Sequence, residues 1–164
     1  MRSGDRWTAW IEENGESFFL YARSQCRSDA DAKDVLQEAL TETWGRSGSK
    51  LPDRALVFAT IRRRAIDAAR SMDRRKIREV DFSSLGTDFF CPDFSASDVR
   101  HQLASAVEAL PDSLQEVVVL RIWGGLTFSE IAKLMNLPLP TATSRYRYAL
   151  ERLRESTVLT ELKP

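Results

Sequence analysis

Apolar residues recur at steps of three and four along almost the whole chain, and the period-two alternation of a half-buried strand is absent. This pattern predicts an all-α protein. Trp7, Trp10, Ile11, Phe18 and Tyr21 suit one helix, or two short ones broken near Gly15. Ser28-Asp29-Ala30-Asp31 offers small polar residues that cap a second helix start. Ala32, Val35, Leu36, Ala39, Leu40 and Thr43 form its apolar face, and Gly45 can end it in a left-handed turn. Leu51-Pro52-Asp53 opens a long helix whose stripe is Ala55, Ala59, Ile66 and Ala69, joined by Phe58, Ala65 and Met72.

After Val80 the composition changes. Asp81 to Asp98 holds four Asp, four Ser, a Gly and a Pro without a single Lys or Arg, and reads as a linker. Its aromatics, Phe82, Phe89, Phe90 and Phe94, are unusual for a free tether and suit docking on a surface. Helical spacing then resumes. Val99, Leu103, Ala106, Val107 and Leu110 make one amphipathic helix, stopped by Pro111. Leu114, Val117, Val118 and Ile122 belong to a second, ended by Gly124-Gly125. Thr127-Phe128-Ser129-Glu130 is a capping box that opens a short helix bearing Ile131, Ala132 and Leu134. Asn136 suits the left-handed position at its end. Leu137-Pro138-Leu139-Pro140 forces a turn, and Thr141 can cap a last helix with the stripe Ala142, Tyr146, Ala149, Leu150 and Leu153. The expected organisation is two small helical domains, residues 1–79 and 99–164, joined by a linker at 80–98.

Composition narrows the function classes. Lys plus Arg and Asp plus Glu both total 24, which argues against a uniformly basic nucleic-acid coat but not against local patches. Cys26 and Cys91 lie far apart without metal-ligand spacing, so neither a disulfide framework nor a metal site is expected. Met1 to Trp10 has no signal-like apolar run, and no stretch reaches the roughly 18 uninterrupted apolar residues of a membrane span. A soluble, cytoplasmic chain without membrane insertion is expected. His101 is the single histidine, and neither a Gly-rich phosphate loop nor a catalytic motif occurs, so the sequence supports no enzyme and no cofactor.

Three features carry candidate chemistry. Leu126 to Arg154 reads as a helix-turn-helix, the arrangement that lays its second helix in the major groove. Ala132 suits the close crossing of the two helices, and the second helix turns Thr143, Ser144, Arg145, Arg147 and Tyr148 outward. Such a face offers guanidinium groups and hydroxyls to bases and phosphates; the alternative is a helical hairpin with a solvated polar face. Second, the segment from Arg62 to Glu79 carries eight basic residues against Asp67, Asp73 and Glu79. Pairs such as Arg63–Asp67 could solvate that run, but the acidic residues are too few to balance it, and nucleic acid is the better reading. Third, Asp31, Asp34, Glu38 and Glu42 make an acidic edge beside Gln37, which spacing alone reads as a solvated face.

Together these residues resemble the sigma factors of bacterial RNA polymerase, specifically the short extracytoplasmic-function group. Asp31-Ala32-Lys33-Asp34-Val35-Leu36-Gln37-Glu38 followed by Trp44, then Ala65-Ile66-Asp67 with Arg70 and Arg74-Arg75, look like the family's region 2. Leu110-Pro111, Val117-Val118-Val119-Leu120-Arg121, Glu130-Ile131-Ala132, Ser144-Arg145 and Ala149-Leu150-Glu151-Arg152-Leu153-Arg154 look like region 4. The resemblance spans nearly the whole chain in the family's order. It implies a transcription initiation factor whose partners are core RNA polymerase and promoter DNA. Asp34, Gln37 and Glu38 would then dock on the polymerase clamp helices rather than face solvent idly. Arg62, Arg63, Arg64, Arg70, Arg74 and Arg75 would meet the −10 element where strands separate, and opening is favoured if a flipped base is captured. Thr141, Thr143, Ser144, Arg145, Arg147 and Tyr148 would read the −35 element as duplex. The family often uses an inhibitory anti-sigma protein, although no residue here identifies one.

Departures are visible too. Leu56-Val57 and Ile61-Arg62-Arg63 stand where the family has Trp-Leu and Ala-Arg-Asn, so Arg63 puts a charge in place of a neutral amide. Pro140-Thr141-Ala142-Thr143-Ser144-Arg145 replaces Gly-Thr-Val-Lys-Ser-Arg, and Tyr148 a frequent Arg, which weakens the phosphate-binding face by about one or two counterions of salt dependence. Zero net charge with an acidic docking edge predicts a protein that binds promoter DNA poorly alone and well with polymerase. The rival readings are a stand-alone helix-turn-helix regulator and a sigma-like adaptor that has lost promoter readout.

Overall fold

A computed structural model describes the backbone of residues 3–75 and 105–161 and the side chains of residues 4–71 and 105–156. The chain divides into two compact units, Met1–Thr87 and Asp88–Pro164. Every regular element among the described residues is helical, as the periodicity predicts. The expected linker at 80–98, with its phenylalanines, lies outside the described residues, as do Cys91, Val99, His101 and Leu103.

The first unit is a three-helix bundle of α1 (Ser3–Gln25), α2 (Asp29–Ser47) and α3 (Arg54–Arg75). Helix α1 runs through Gly15 without a break. Its Phe18 and Tyr21 are sealed from solvent, and Phe58 of α3 meets both edge-on at 5.0 and 5.5 Å between ring centroids. The turn into α2 is held by a nearly buried Arg23, which donates to Asp29 Oδ1 (2.6 Å) and to the Cys26 carbonyl (3.0 Å). Of the stretch expected to cap α2, Ser28 does so, its hydroxyl oxygen accepting the Asp31 N–H. Burial pushes the Cys26 thiol up to about 11, with Asp31 adding to the effect, which keeps the thiol protonated in the neutral range.

Two expectations shift here. Gly45 does not end α2. The helix continues to Ser47, whose hydroxyl donates to the Thr43 carbonyl, and Gly48 supplies the positive φ of 62° that stops it. On α3 the buried row is Val57, Phe58, Thr60, Ile61 and Ala65, whereas Ala55, Ala59 and Ile66 are only half-buried and Ala69 is exposed. The segment Ala55-Leu56-Val57-Phe58-Ala59 is apolar on every side, so periodicity cannot set its phase; the larger Val57, Phe58 and Ile61 win the interior over the alanines.

In the second unit residues 105–108 are helical, and Val107 and Leu110 are buried. Pro111 precedes α4 (Asp112–Val118), which continues as a π-helical turn over Val119–Trp123. There the Gly124 N–H reaches back five residues to the Val119 carbonyl (2.9 Å), and the Leu126 N–H reaches the Leu120 carbonyl (3.1 Å). The wider turn rotates the helix phase. Leu114, Val117, Val118, Val119 and Leu120 are therefore buried while Ile122, expected in the core, is 49% exposed. Gly125 takes the left-handed conformation that ends the element. Helices α5 (Phe128–Met135) and α6 (Leu139–Glu161) complete the unit.

Candidate functional site

Local chemistry fixes the helix-turn-helix at each joint. The Thr127 hydroxyl oxygen accepts the Glu130 N–H (3.1 Å) and the Glu130 carboxylate accepts the Thr127 N–H (3.0 Å), closing the predicted capping box. Asn136 sits at φ 55° and ψ 51°, and the next N–H, that of Leu137, returns to the Ala132 carbonyl (2.8 Å), which ends α5 abruptly. Ala132 is buried where α5 approaches its neighbours. Arg121 braces the entry: its guanidinium donates to the Leu126 carbonyl (2.9 Å) and lies 4.4 Å from the Phe128 ring centre. Phe128 in turn meets Tyr146 of α6 edge-on at 5.2 Å.

Helix α6 buries Ala142, Ala149 and Leu153 and leaves Ser144, Arg147 and Tyr148 exposed at helical spacing on one face. Arg145 is half-buried, as are Thr141 and Thr143. Thr141 does not cap the helix: α6 begins at Leu139, and the Thr141 and Ala142 N–H groups donate to the Pro138 carbonyl. The Thr143 hydroxyl donates back to the Pro140 (2.9 Å) and Leu139 (3.3 Å) carbonyls, which leaves only its oxygen lone pairs for a ligand.

On the first unit, α2 carries three rows. Ala32, Val35, Ala39 and Thr43 are buried, and Asp34, Gln37 and Glu38 are all exposed. Between them Leu36, Leu40 and Trp44 join Trp7 and Ile11 of α1 in lining an apolar groove of about 450 Å3. Trp44, 37% exposed, packs edge-on against Trp7 at 4.3 Å. The groove is missing from the sequence reading, although Trp7 and Trp44 were its available signal.

The acidic edge and the basic helix are not independent. Glu42, expected on the exposed edge, is half-buried with its side chain 13% exposed, because arginines of α3 close over it. Arg63 donates to Glu42 Oε1, Arg64 donates twice to Oε2 (3.0 and 2.9 Å), and Arg46 lies 3.1 Å from Oε1. Arg64 also donates to Glu38 (3.1 Å). Hydrogen bonds from Arg63, then from Arg64, lower the Glu42 carboxyl from its ordinary 4.5 to about 2 against the opposing effect of desolvation. Arg63 and Arg64 thus take their balancing charge from Glu42 and Glu38 of α2. Arg62 is half-buried and Arg70 exposed; the side chains of Arg74 and Arg75 lie outside the described residues. No cluster of His, Cys, Asp or Glu suited to a metal ion occurs among the described residues. Nor is any of their helices long and apolar enough to cross a membrane.

By its architecture the second unit is a helix-turn-helix: a capped short helix, a turn at Asn136 and a longer helix with a polar outer face. Comparison with known proteins sharpens this. Residues 106–155 match the family model "Sigma-70, region 4". The chain is 31% identical over 153 residues to the RNA polymerase sigma-E factor of Streptomyces avermitilis, covering 89% of this chain and 82% of that one. It is 34% identical over 132 residues to the sigma-E factor of Streptomyces antibioticus, covering 76% and 69%. The ECF RNA polymerase sigma factor SigK of Mycobacterium tuberculosis is 29% identical over 139 residues, covering 78% and 73%. Among solved structures, the sigma factor RpoE in complex with the anti-sigma factor NepR from Bartonella quintana has the same fold. It aligns with a TM-score of 0.74 at 17% identity, over 97% of this chain and 99% of that one. CnrH in complex with the cytosolic domain of CnrY aligns with a TM-score of 0.56 at 20% identity, over 96% and 88%. The chain therefore belongs to the extracytoplasmic-function sigma factors of RNA polymerase, and is a transcription initiation factor.

Proposed function

We propose that this chain binds core RNA polymerase through the edge of α2 and directs it to promoters read by α3 and α6. The observation that carries the reading is the α2 surface itself. Asp34, Gln37 and Glu38 stand exposed in one row beside the groove of Leu36, Leu40 and Trp44. An acidic row flanking an apolar trough suits a partner helix that presents basic and apolar side chains together. Arg62, Arg63, Arg64, Arg70, Arg74 and Arg75 serve the −10 element, whose melted strand offers phosphates to guanidinium groups. Thr141, Thr143, Ser144, Arg145, Arg147 and Tyr148 serve the −35 element, with Ser144, Arg147 and Tyr148 foremost because they are exposed on one face. Residues 1–79 act as the polymerase and −10 domain, 80–98 as the linker and 99–164 as the −35 domain. RpoE, similar in fold, was solved with the anti-sigma factor NepR, which supports such an inhibitor as a further partner here. The work is binding and positioning, not catalysis, and it takes place where polymerase and chromosome meet, in the cytoplasm.

Replacing Asp34 and Glu38 by Lys tests the docking surface. The double variant loses core polymerase in a pull-down while keeping its helical spectrum. Undiminished capture by the folded variant would reject α2 as the contact. A stand-alone regulator predicts tight, salt-sensitive operator binding by the free protein, which the same preparation can measure.

A further inference from the structure

Glu42 sits at the centre of the charged seam between α2 and α3. Its two oxygens take Arg63 on one side and the bidentate fork of Arg64 on the other, with Arg46 3.1 Å from Oε1. Arg64 reaches on to Glu38, so three of its N–H groups are committed to α2. Exposed ion pairs are worth little, but the side chains here are partly covered, Glu42 at 13% and Arg64 at 35% exposure. Glu38 differs: at 59% side-chain exposure it is the end of the seam that a partner can touch.

We infer that Glu42 is a positioning residue that withholds Arg63 and Arg64 from nucleic acid in the free protein, with Glu38 as the release point. A basic side chain arriving at Glu38 competes with Arg64 for that carboxylate and removes one of its two anchors. Docking on the acidic row then makes the basic helix more available to a phosphate backbone. The inference rests on the proposed reading of α3 as a nucleic-acid face.

The test is binding of the full-length chain to a fluorescent single-stranded oligonucleotide across a salt series, with helicity checked by circular dichroism. Glu42→Gln tightens binding and steepens the dependence of log K on log salt by about 1.4, the equivalent of two further phosphate contacts on a single strand. Glu38→Gln, which frees only one anchor and keeps Glu42, gives about half that change or less, and carries the test alone if Glu42→Gln fails to fold. Glu12→Gln, at an exposed position of α1 outside the ion pairs of the seam, removes the same charge and leaves the slope as it was. Unchanged slopes in folded Glu42→Gln and Glu38→Gln would overturn the inference, as would an equal gain from Glu12→Gln. Arg70→Ala separates the two levels. If it flattens the slope while Glu42→Gln changes nothing, only the latch fails; if neither matters, the nucleic-acid reading of α3 fails and takes the latch with it.

Discussion

Substituting Ala for Gly has opposite consequences at two positions, and the difference follows from the π-helical turn. At Gly124 the backbone angles, φ −75° and ψ −24°, are ones any residue adopts, so conformational strain is not the objection. Space is. A Cβ there would lie 2.5 Å from the Leu120 carbonyl oxygen and 3.1 and 3.2 Å from its Cα and carbonyl carbon. These are backbone atoms that no rotamer change can move, in a segment whose Val119 and Leu120 side chains are fully packed. Overpacking of this kind costs about 1–3 kcal/mol. At roughly 4–8 °C per kcal/mol for a unit of this size, Gly124→Ala lowers the melting temperature of the second unit clearly. Gly45 is the counterpart: it lies inside α2, and a Cβ meets nothing within 4 Å. Gly45→Ala therefore gains about 0.5–1 kcal/mol from the reduced backbone entropy of the unfolded chain. Thermal unfolding followed by circular dichroism, with amide exchange assigning each effect to its unit, measures both. Equal melting of wild type and Gly124→Ala would refute the five-residue turn on which this reasoning stands.

Other consequences are similarly local. Because the Glu42 carboxyl is lowered in the folded chain to about 2, its contribution is complete above pH 4.5 and is lost as pH falls toward 2. The stability difference between wild type and Glu42→Gln from urea unfolding, about 1–2 kcal/mol near neutrality, accordingly closes over that window, and a difference constant down to pH 2 contradicts the assignment. Thr127→Ala removes half of the capping box and costs about 1 kcal/mol, read as a lower denaturation midpoint; no change would mean that the α5 start is held by something else. Arg23→Ala leaves the Cys26 carbonyl and Asp29 without their donor, and amide exchange quickens at residues 24–31 before it does elsewhere in the bundle.

Features written in short-range chemistry were legible in the sequence. The Ser28 cap, the Thr127–Glu130 box and the left-handed Asn136 each depend on a few neighbouring residues, and each stands where it was expected. The exposed row of Asp34, Gln37 and Glu38 followed from helical spacing against Ala32, Val35 and Ala39. What escaped needed information from elsewhere in the fold. The π-turn that exposes Ile122 leaves no periodic trace, since one extra residue in a turn looks like a continuing helix. The core face of α3 was ambiguous until Phe18 and Tyr21 of α1 selected Phe58 and its neighbours. Most consequential is Glu42: twenty-one residues from Arg63 in sequence, it looked like one more solvated acid on an open edge. Its pairing joins two surfaces that spacing presents as separate, the acidic edge of α2 and the basic face of α3, in a single charged seam.

The central claim is that this chain confers promoter choice on a polymerase it grips through α2. Run-off transcription with purified core polymerase on a library of genomic promoters tests it most directly. New, discrete start sites appear when the protein is added, and they disappear with the Asp34→Lys, Glu38→Lys variant. A library on which the wild-type protein produces no start site would contradict it.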